Sequence, residues 1–189
     1  EVTCNSILGV DLVDGVYYLD SNLGRVTSRS TVGTYVGLSP FIRKIYAASK
    51  EAKLSQYLEG HFSPNSALGQ CPECQGAGKI VVDMHYFEDI EFTCELCEGK
   101  KLRDGPSQIQ VKGIPFSDAI SKEMNAVIPQ FDLTAKATRV YEYLKLLRID
   151  YLSLDRGLNT LSGGERQRLK LFSVIQKKIT NSILFFENL

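Results

Sequence analysis

Two cysteine pairs constrain this chain more than any other feature. Cys71-Pro72-Glu73-Cys74 and Cys94-Glu95-Leu96-Cys97 stand nineteen residues apart. C-x2-C-x19-C-x2-C is the spacing of a four-thiolate structural zinc site, because two intervening residues let a tight turn aim both sulfurs at one tetrahedral centre. The segment between the pairs must then double back. Lys79 to Tyr86 and Ile90 to Thr93 read as two strands around Phe87-Glu88-Asp89, a hairpin that carries the second pair to the first. Gly76 and Gly99 each lie two residues after a pair, where they relieve the backbone so that amides can approach the sulfurs. Cys71, Cys74, Cys94 and Cys97 leave no coordination position for water, so a Zn²⁺ ion here is structural. Its binding would supply roughly 10–16 kcal/mol in apparent terms, more than so small a module obtains from its own core. A thioredoxin-like redox pair is the competing reading, and it lacks the expected βαβ context. His85 reads as a strand side chain, and the fifth cysteine, Cys4, as a small buried residue.

The 189 residues suffice for one substantial core or two small ones. With 43% hydrophobic and 23% charged residues the composition is that of a globular protein, and 22 basic residues balance 22 acidic ones. Whole-chain charge therefore gives no sign of a nucleic-acid binder, and any such contact needs a local basic surface. Paired cysteines fit a reducing, cytoplasmic setting better than a disulfide scaffold. No apolar run is long enough for a membrane span. The first residues show neither an initiator Met nor a signal-peptide pattern, and the two ends read as those of an excised piece.

Along the chain, Val16 to Leu19 is β-favouring and runs into a polar loop from Asp20 to Gly37. Helices are expected over Phe41 to Ala48 and Lys50 to Leu58, over Ser117 to Val127, and from Thr134 to Ile149 with Val140, Leu144 and Leu147 inward. A short strand is expected at Gln108 to Lys112 and a closing one at Ser182 to Phe186. Arg43, Lys44, Lys50 and Lys53 interleave with Tyr46 and Tyr57. They make either a phosphate-contacting surface or an ordinary solvated face.

Leu161-Ser162-Gly163-Gly164-Glu165-Arg166-Gln167-Arg168 opens a further helix, to about Lys178. Ser162 can cap it and Glu165 can reach back, forming a capping box. The two glycines leave backbone N–H groups uncovered at the positive end of the helix dipole, a place suited to an anion. Leu169, Phe172 and Ile175 or Ile179 are expected inside. Arg166, Arg168, Lys170, Lys177 and Lys178 are expected on the exposed side. The octapeptide resembles the signature motif of ATP-binding-cassette ATPases, which closes over the γ-phosphate of an ATP held by another nucleotide-binding domain. The resemblance implies that Ser162, Gly163, Gly164, Glu165 and Gln167 serve a nucleotide in this way.

A cysteine module about sixty residues before such a signature is similar to the UvrA family, the damage-recognition subunit of the bacterial UvrABC excinuclease. Gly24-Arg25-Val26-Thr27-Ser28-Arg29-Ser30 with Thr34-Tyr35-Val36-Gly37, Glu51-Ala52-Lys53, Phe62-Ser63-Pro64-Asn65, and Tyr151 to Thr160 carry the likeness collinearly. The cysteine spacing and Met84-His85 resemble its second, C-terminal nucleotide-binding half. The resemblance implies an α/β fold, a fragment of an ABC-type ATPase domain. Residues 1–37 would belong to the ATP-binding core, and residues 38–158 to a largely helical, DNA-facing signature subdomain that carries the zinc module at about 69–103. Residues 159–189 would form the signature helix and a truncated Walker B strand. It further implies ATP and Mg²⁺ as cofactors, damaged double-stranded DNA as ligand, self-association as a dimer, a subunit-B-like helicase partner and a place in nucleotide excision repair. A related protein of antibiotic resistance or export, and a zinc-stabilised interaction module without catalysis, remain open alternatives.

The sequence departs from that pattern in three places. No G-x-x-x-x-G-K-[ST] loop occurs, so the piece is expected to be inactive alone as an ATPase. Asp20 aligns with the glutamine that helps place the catalytic metal. Phe186 stands where Walker B has its aspartate, whereas Glu187 keeps the carboxylate that would polarise the attacking water. These departures imply a divergent paralogue whose own site hydrolyses poorly.

Overall fold

The structure is a computed structural model describing residues 8–24, 26–27, 29–84, 89–177 and 181–186. Cys4, His85, Lys178, Ile179 and Glu187 lie outside the described residues, as do Phe87 and Glu88 of the expected hairpin turn. In chain order the elements are β1 (Gly15–Leu19), α1 (Val32–Tyr35), α2 (Ser39–Ala47), α3 (Lys50–Leu54), β2 (Lys79–Val82), β3 (Ile90–Thr93), α4 (Asp104–Gln108), β4 (Gln110–Val111), β5 (Ile114–Pro115), α5 (Phe116–Ser121), α6 (Met124–Val127), α7 (Ala135–Leu146), α8 (Gly163–Ile175) and β6 (Ser182–Phe186), with short 3-10 turns between them. This is a mixed α/β chain that divides into two compact units, Glu1–Arg25 with Leu161–Leu189, and Val26–Thr160.

In the first unit β1 and β6 pair in parallel, from Gly15 opposite Ser182 to Leu19 opposite Phe186. Leu19, Leu169, Phe172 and Val174 are buried. Ile175 is only half buried, so the inward stripe of α8 lies one position earlier at its C-terminal end than the sequence suggests. Lys170 also departs from expectation. Its ammonium donates to the Asn22 carbonyl oxygen at 2.8 Å and stands 3.5 Å from Asp20 Oδ1, so it is partly covered instead of belonging to an exposed basic side.

The second unit is built around an aromatic cluster. Tyr46 on α2 meets Phe116 on α5 edge-to-face at 5.0 Å, Phe62 packs on Phe116 at 5.0 Å, and Phe131 lies 5.9 Å from Tyr46. Burial drives the rings together, and the tyrosine hydroxyl keeps a partner by donating to the Ile114 carbonyl at 2.9 Å. That burial also pushes the Tyr46 phenol well above its ordinary pKa. Gly33 sits where its amide donates to the Leu154 carbonyl at 2.9 Å, an approach that any side chain would block.

Three helix boundaries differ from the sequence expectation. Ser117 to Val127 is two helices, α5 and α6, separated by extended backbone at Lys122 and Glu123. Glu123 bridges Ser153, while the amides of Met124 and Asn125 donate to the carbonyls of Leu152 and Asp150. Those contacts replace the bonds a continuous helix would have made. The α3 helix stops at Leu54, because Gln56 adopts φ +56° and the Tyr57 amide closes on the Ala52 carbonyl. The α7 helix ends at Leu146 in the same way, with Arg148 at φ +53° and the Ile149 amide returning to Leu144; Val140 and Leu144 are buried and Leu147 half buried. The expected strand at Gln108 to Lys112 shrinks to β4, which pairs with β5, and α4 runs through Gln108.

Candidate metal centre and signature helix

The cysteine module is pinned at its neck. Gln70 bridges Leu102, the Cys71 amide donates to the Lys101 carbonyl, and the Arg103 amide donates to Gly69. From there β2 and β3 run antiparallel, Lys79 opposite Thr93 and Val82 opposite Ile90. The sequence echo C-x-x-C-x-G is also a conformational echo. Gln75 and Gly76 have φ +51° and +84°, and Glu98 and Gly99 have +50° and +80°. In both knuckles the amide two or more residues on returns to the second cysteine, from Ala77 to the Cys74 carbonyl and from Lys100 to the Cys97 carbonyl. Glycine is required at 76 for two reasons, since its φ is positive and a Cβ there would run into the Pro64 carbonyl.

This backbone brings Cys71, Cys74, Cys94 and Cys97 together, all four buried, with their sulfurs within 4.8 Å of one another. Cys71 Sγ lies 3.9 Å from Cys94 Sγ, and Cys74 Sγ 3.7 Å from Cys97 Sγ. Four sulfurs at the Zn–S bond length around one tetrahedral ion stand about 3.8 Å apart, whereas a disulfide holds its sulfurs at about 2 Å. The spacing suits a Zn²⁺ ion and shows that none of these sulfurs is joined in a disulfide. Ile80 packs against the cluster and the Gly78 amide donates to Cys74 Sγ at 3.2 Å, so the donor atoms already sit in a dry shell with an amide aimed at sulfur. Burial pushes the metal-free Cys97 thiol up to about 12. Burial disfavours the charged form of that thiol, and a bound cation would offset the cost. Glu73 was invisible to spacing arguments. Its Oε2 accepts from the Leu96 amide at 3.3 Å and from the Cys94 thiol at 3.1 Å, tying one knuckle to the other.

The signature helix, in the other unit, starts as its sequence dictates. Ser162 has extended backbone, its Oγ accepts from the Glu165 amide at 3.3 Å, and Glu165 Oε2 accepts from the Ser162 amide at 2.7 Å. Gly163 and Gly164 are exposed, and a Cβ built on either would meet nothing within 4 Å. Gln167 is half buried on the next turn.

Of the four basic residues singled out on the early helices, Lys44, Lys50 and Lys53 are exposed. Arg43 is half buried at a cleft with about 40 Å³ of free space, shared with Thr34, Ser39, Phe62, Lys101 and Asp155. Desolvation there lowers its pKa, and Glu59 partly offsets the effect. Lys101 donates to the Asp155 carbonyl at 3.2 Å across the same cleft, a pairing that no local pattern announces.

No known family model matches the chain. Over 178 residues it is 35% identical to UvrABC system protein A of Streptomyces coelicolor, an alignment covering 94% of this chain and 18% of that protein. With the Bacillus subtilis protein of the same name it shares 35% identity over 180 residues, 95% of this chain and 19% of the relative. Its fold superposes on the crystal structure of UvrA2 from Deinococcus radiodurans with a TM-score of 0.77 and 27% identity, covering 93% of this chain and 22% of the other. The chain thus spans about a fifth of the length of the curated relatives it matches. By homology along nearly its whole length, it belongs to the UvrA family.

Proposed function

We propose that this chain is the zinc-carrying, signature-bearing stretch of an ATP-dependent protein that recognises damaged double-stranded DNA in bacterial nucleotide excision repair. The observation that carries the reading is collinear homology to UvrABC system protein A, combined with a buried four-cysteine cluster and a capped, glycine-opened helix at the expected positions. In this reading residues 38–158 form the signature subdomain, flanked by pieces of the ATP-binding core, in the C-terminal nucleotide-binding half. Cys71, Cys74, Cys94 and Cys97 hold Zn²⁺, which fixes the two knuckles and does no chemistry. Ser162, Gly163, Gly164, Glu165 and Gln167 face the γ-phosphate of an Mg²⁺-bound ATP on the partner domain of a dimer. There the open amides and helix dipole stabilise negative charge. A subunit-B-like helicase is the downstream partner, and the setting is the cytoplasm. None of the helices among the described residues is long and apolar enough to cross a membrane.

Lys44, Lys50 and Lys53 supply the phosphate contacts. Each ion pair with a phosphate releases counterions, so binding weakens as salt rises, with a slope near 0.9 per contact on logarithmic axes. Replacing all three lysines by alanine in the full-length protein is expected to flatten that slope by roughly 2–3 while zinc content stays at one per chain. An unchanged slope would remove these residues from the DNA face. Phe186, opposite Leu19 on the parallel pair, favours a divergent paralogue with weak hydrolysis at its own site. Phe186→Asp in the full-length protein is expected to raise ATP turnover, and no gain in rate would count against that assignment.

A further inference from the structure

The zinc hairpin has the wrong charge for nucleic acid. Residues 71–100 contain seven carboxylates against only Lys79 and Lys100. Lys79 is paired with Glu91 and Lys100 with Glu98 at 2.7 Å, so both cations of the segment are already engaged. A Zn²⁺ ion held by four thiolates adds further negative charge. Because the whole chain is neutral, the rest of it carries the balancing positive charge. A polyanion approaching this module is therefore repelled.

The same hairpin also exposes apolar side chains. By register Ile80 faces with Phe92, and Val82 with Ile90. Ile80 covers the cysteine cluster, leaving Val82, Ile90 and Phe92 as an uncovered apolar face whose largest member, Phe92, is 55% exposed. Leu96, at the tip of the second knuckle, is exposed to the same degree. The opposite face carries the Lys79–Glu91 pair and the half-exposed Val81. Among the described residues β2 and β3 pair only with each other, so their outer edges are open to a third strand. A net-acidic segment with aliphatic and aromatic side chains exposed on an open sheet edge is complementary to an extended segment that alternates basic and apolar residues.

We infer that β2–β3 with Leu96 is a docking edge for a partner protein, which adds a basic, apolar strand to the zinc hairpin. This assignment does not depend on the DNA-binding proposal for α2 and α3, since the two surfaces carry opposite charge.

The test uses the zinc-loaded 189-residue chain and a peptide of alternating lysine and valine, with backbone amide shifts as the readout. Saturable binding is expected, with shifts confined to β2, β3 and the Glu95–Leu96 knuckle. Phe92→Ser and Glu95→Lys each should weaken it by about tenfold, the loss typical of a central contact, with one zinc per chain retained. Both side chains are exposed, and should Phe92→Ser lose zinc, Glu95→Lys alone decides. The inference is overturned if the peptide fails to saturate or if oligolysine binds as tightly, which would mean charge alone. Movement of the same amides by a DNA duplex, or by concentrating the chain without peptide, would equally overturn it.

Discussion

Cys94→Ser releases the metal and unfolds residues 71–102, while the Tyr46–Phe62–Phe116 cluster stays folded. Cys94 is wholly buried and its sulfur lies 3.9 Å from that of Cys71. A serine hydroxyl does not ionise at neutral pH, so the variant offers three thiolates and a weak fourth donor. The module has little else to hold it. Among the described residues its buried apolar content is the four cysteines with Ile80 packed on them and Leu102 at the neck, and β2 and β3 are otherwise exposed along their length. An isolated two-stranded hairpin is marginal in water, so loss of roughly 10–16 kcal/mol of apparent metal binding exceeds any reserve. Amide hydrogen exchange on the variant should show protection lost from Cys71 to Leu102 and kept at Tyr46. Full zinc content with unchanged protection would contradict this outcome.

Phe116→Ala should cost the second unit about 3–5 kcal/mol, the usual range for removing a buried phenylalanine. The ring is 1% exposed and meets both Tyr46 and Phe62 at 5.0 Å. Its backbone amide also donates to the Ile109 carbonyl, so the β4–β5 turn holds the position and the surroundings have little freedom to collapse into the gap. Against a total stability of about 5–15 kcal/mol such a loss is large. Urea unfolding followed by tyrosine fluorescence should show a lower midpoint with a similar slope. A loss below about 1 kcal/mol would mean that the cluster is looser than its ring geometry implies.

Local rules account for what the sequence made legible. The cysteine knuckles follow from spacing within four residues, and the Ser162–Glu165 capping box from spacing within three. The hairpin between the cysteine pairs follows because its two ends must meet. What sequence reading missed involves partners far along the chain. The break between α5 and α6 is invisible in the apolar spacing of Ile120, Met124 and Val127, because Leu152 and Asp150 cause it from elsewhere. Lys170 reads as one more exposed cation until β1 brings Asp20 and Asn22 to it. The α4 helix contains both Gly105 and Pro106, residues that argue for a loop. Its proline sits in the first turn, where no intrahelical N–H bond is lost, and Gly105 leaves room for the Tyr57 hydroxyl. Arg43 sits in a basic run but is half buried at a cleft, a placement set by Phe62 and Phe116 and not by its neighbours in sequence.

The module stands or falls on four sulfurs gripping one metal ion. Zinc-edge X-ray absorption on the purified chain, combined with elemental analysis, tests it most directly. One zinc per chain is expected, in a shell of four sulfur atoms at about 2.3 Å. Sub-stoichiometric metal, nitrogen or oxygen in that shell, or a mass showing the cysteines joined as disulfides would contradict it.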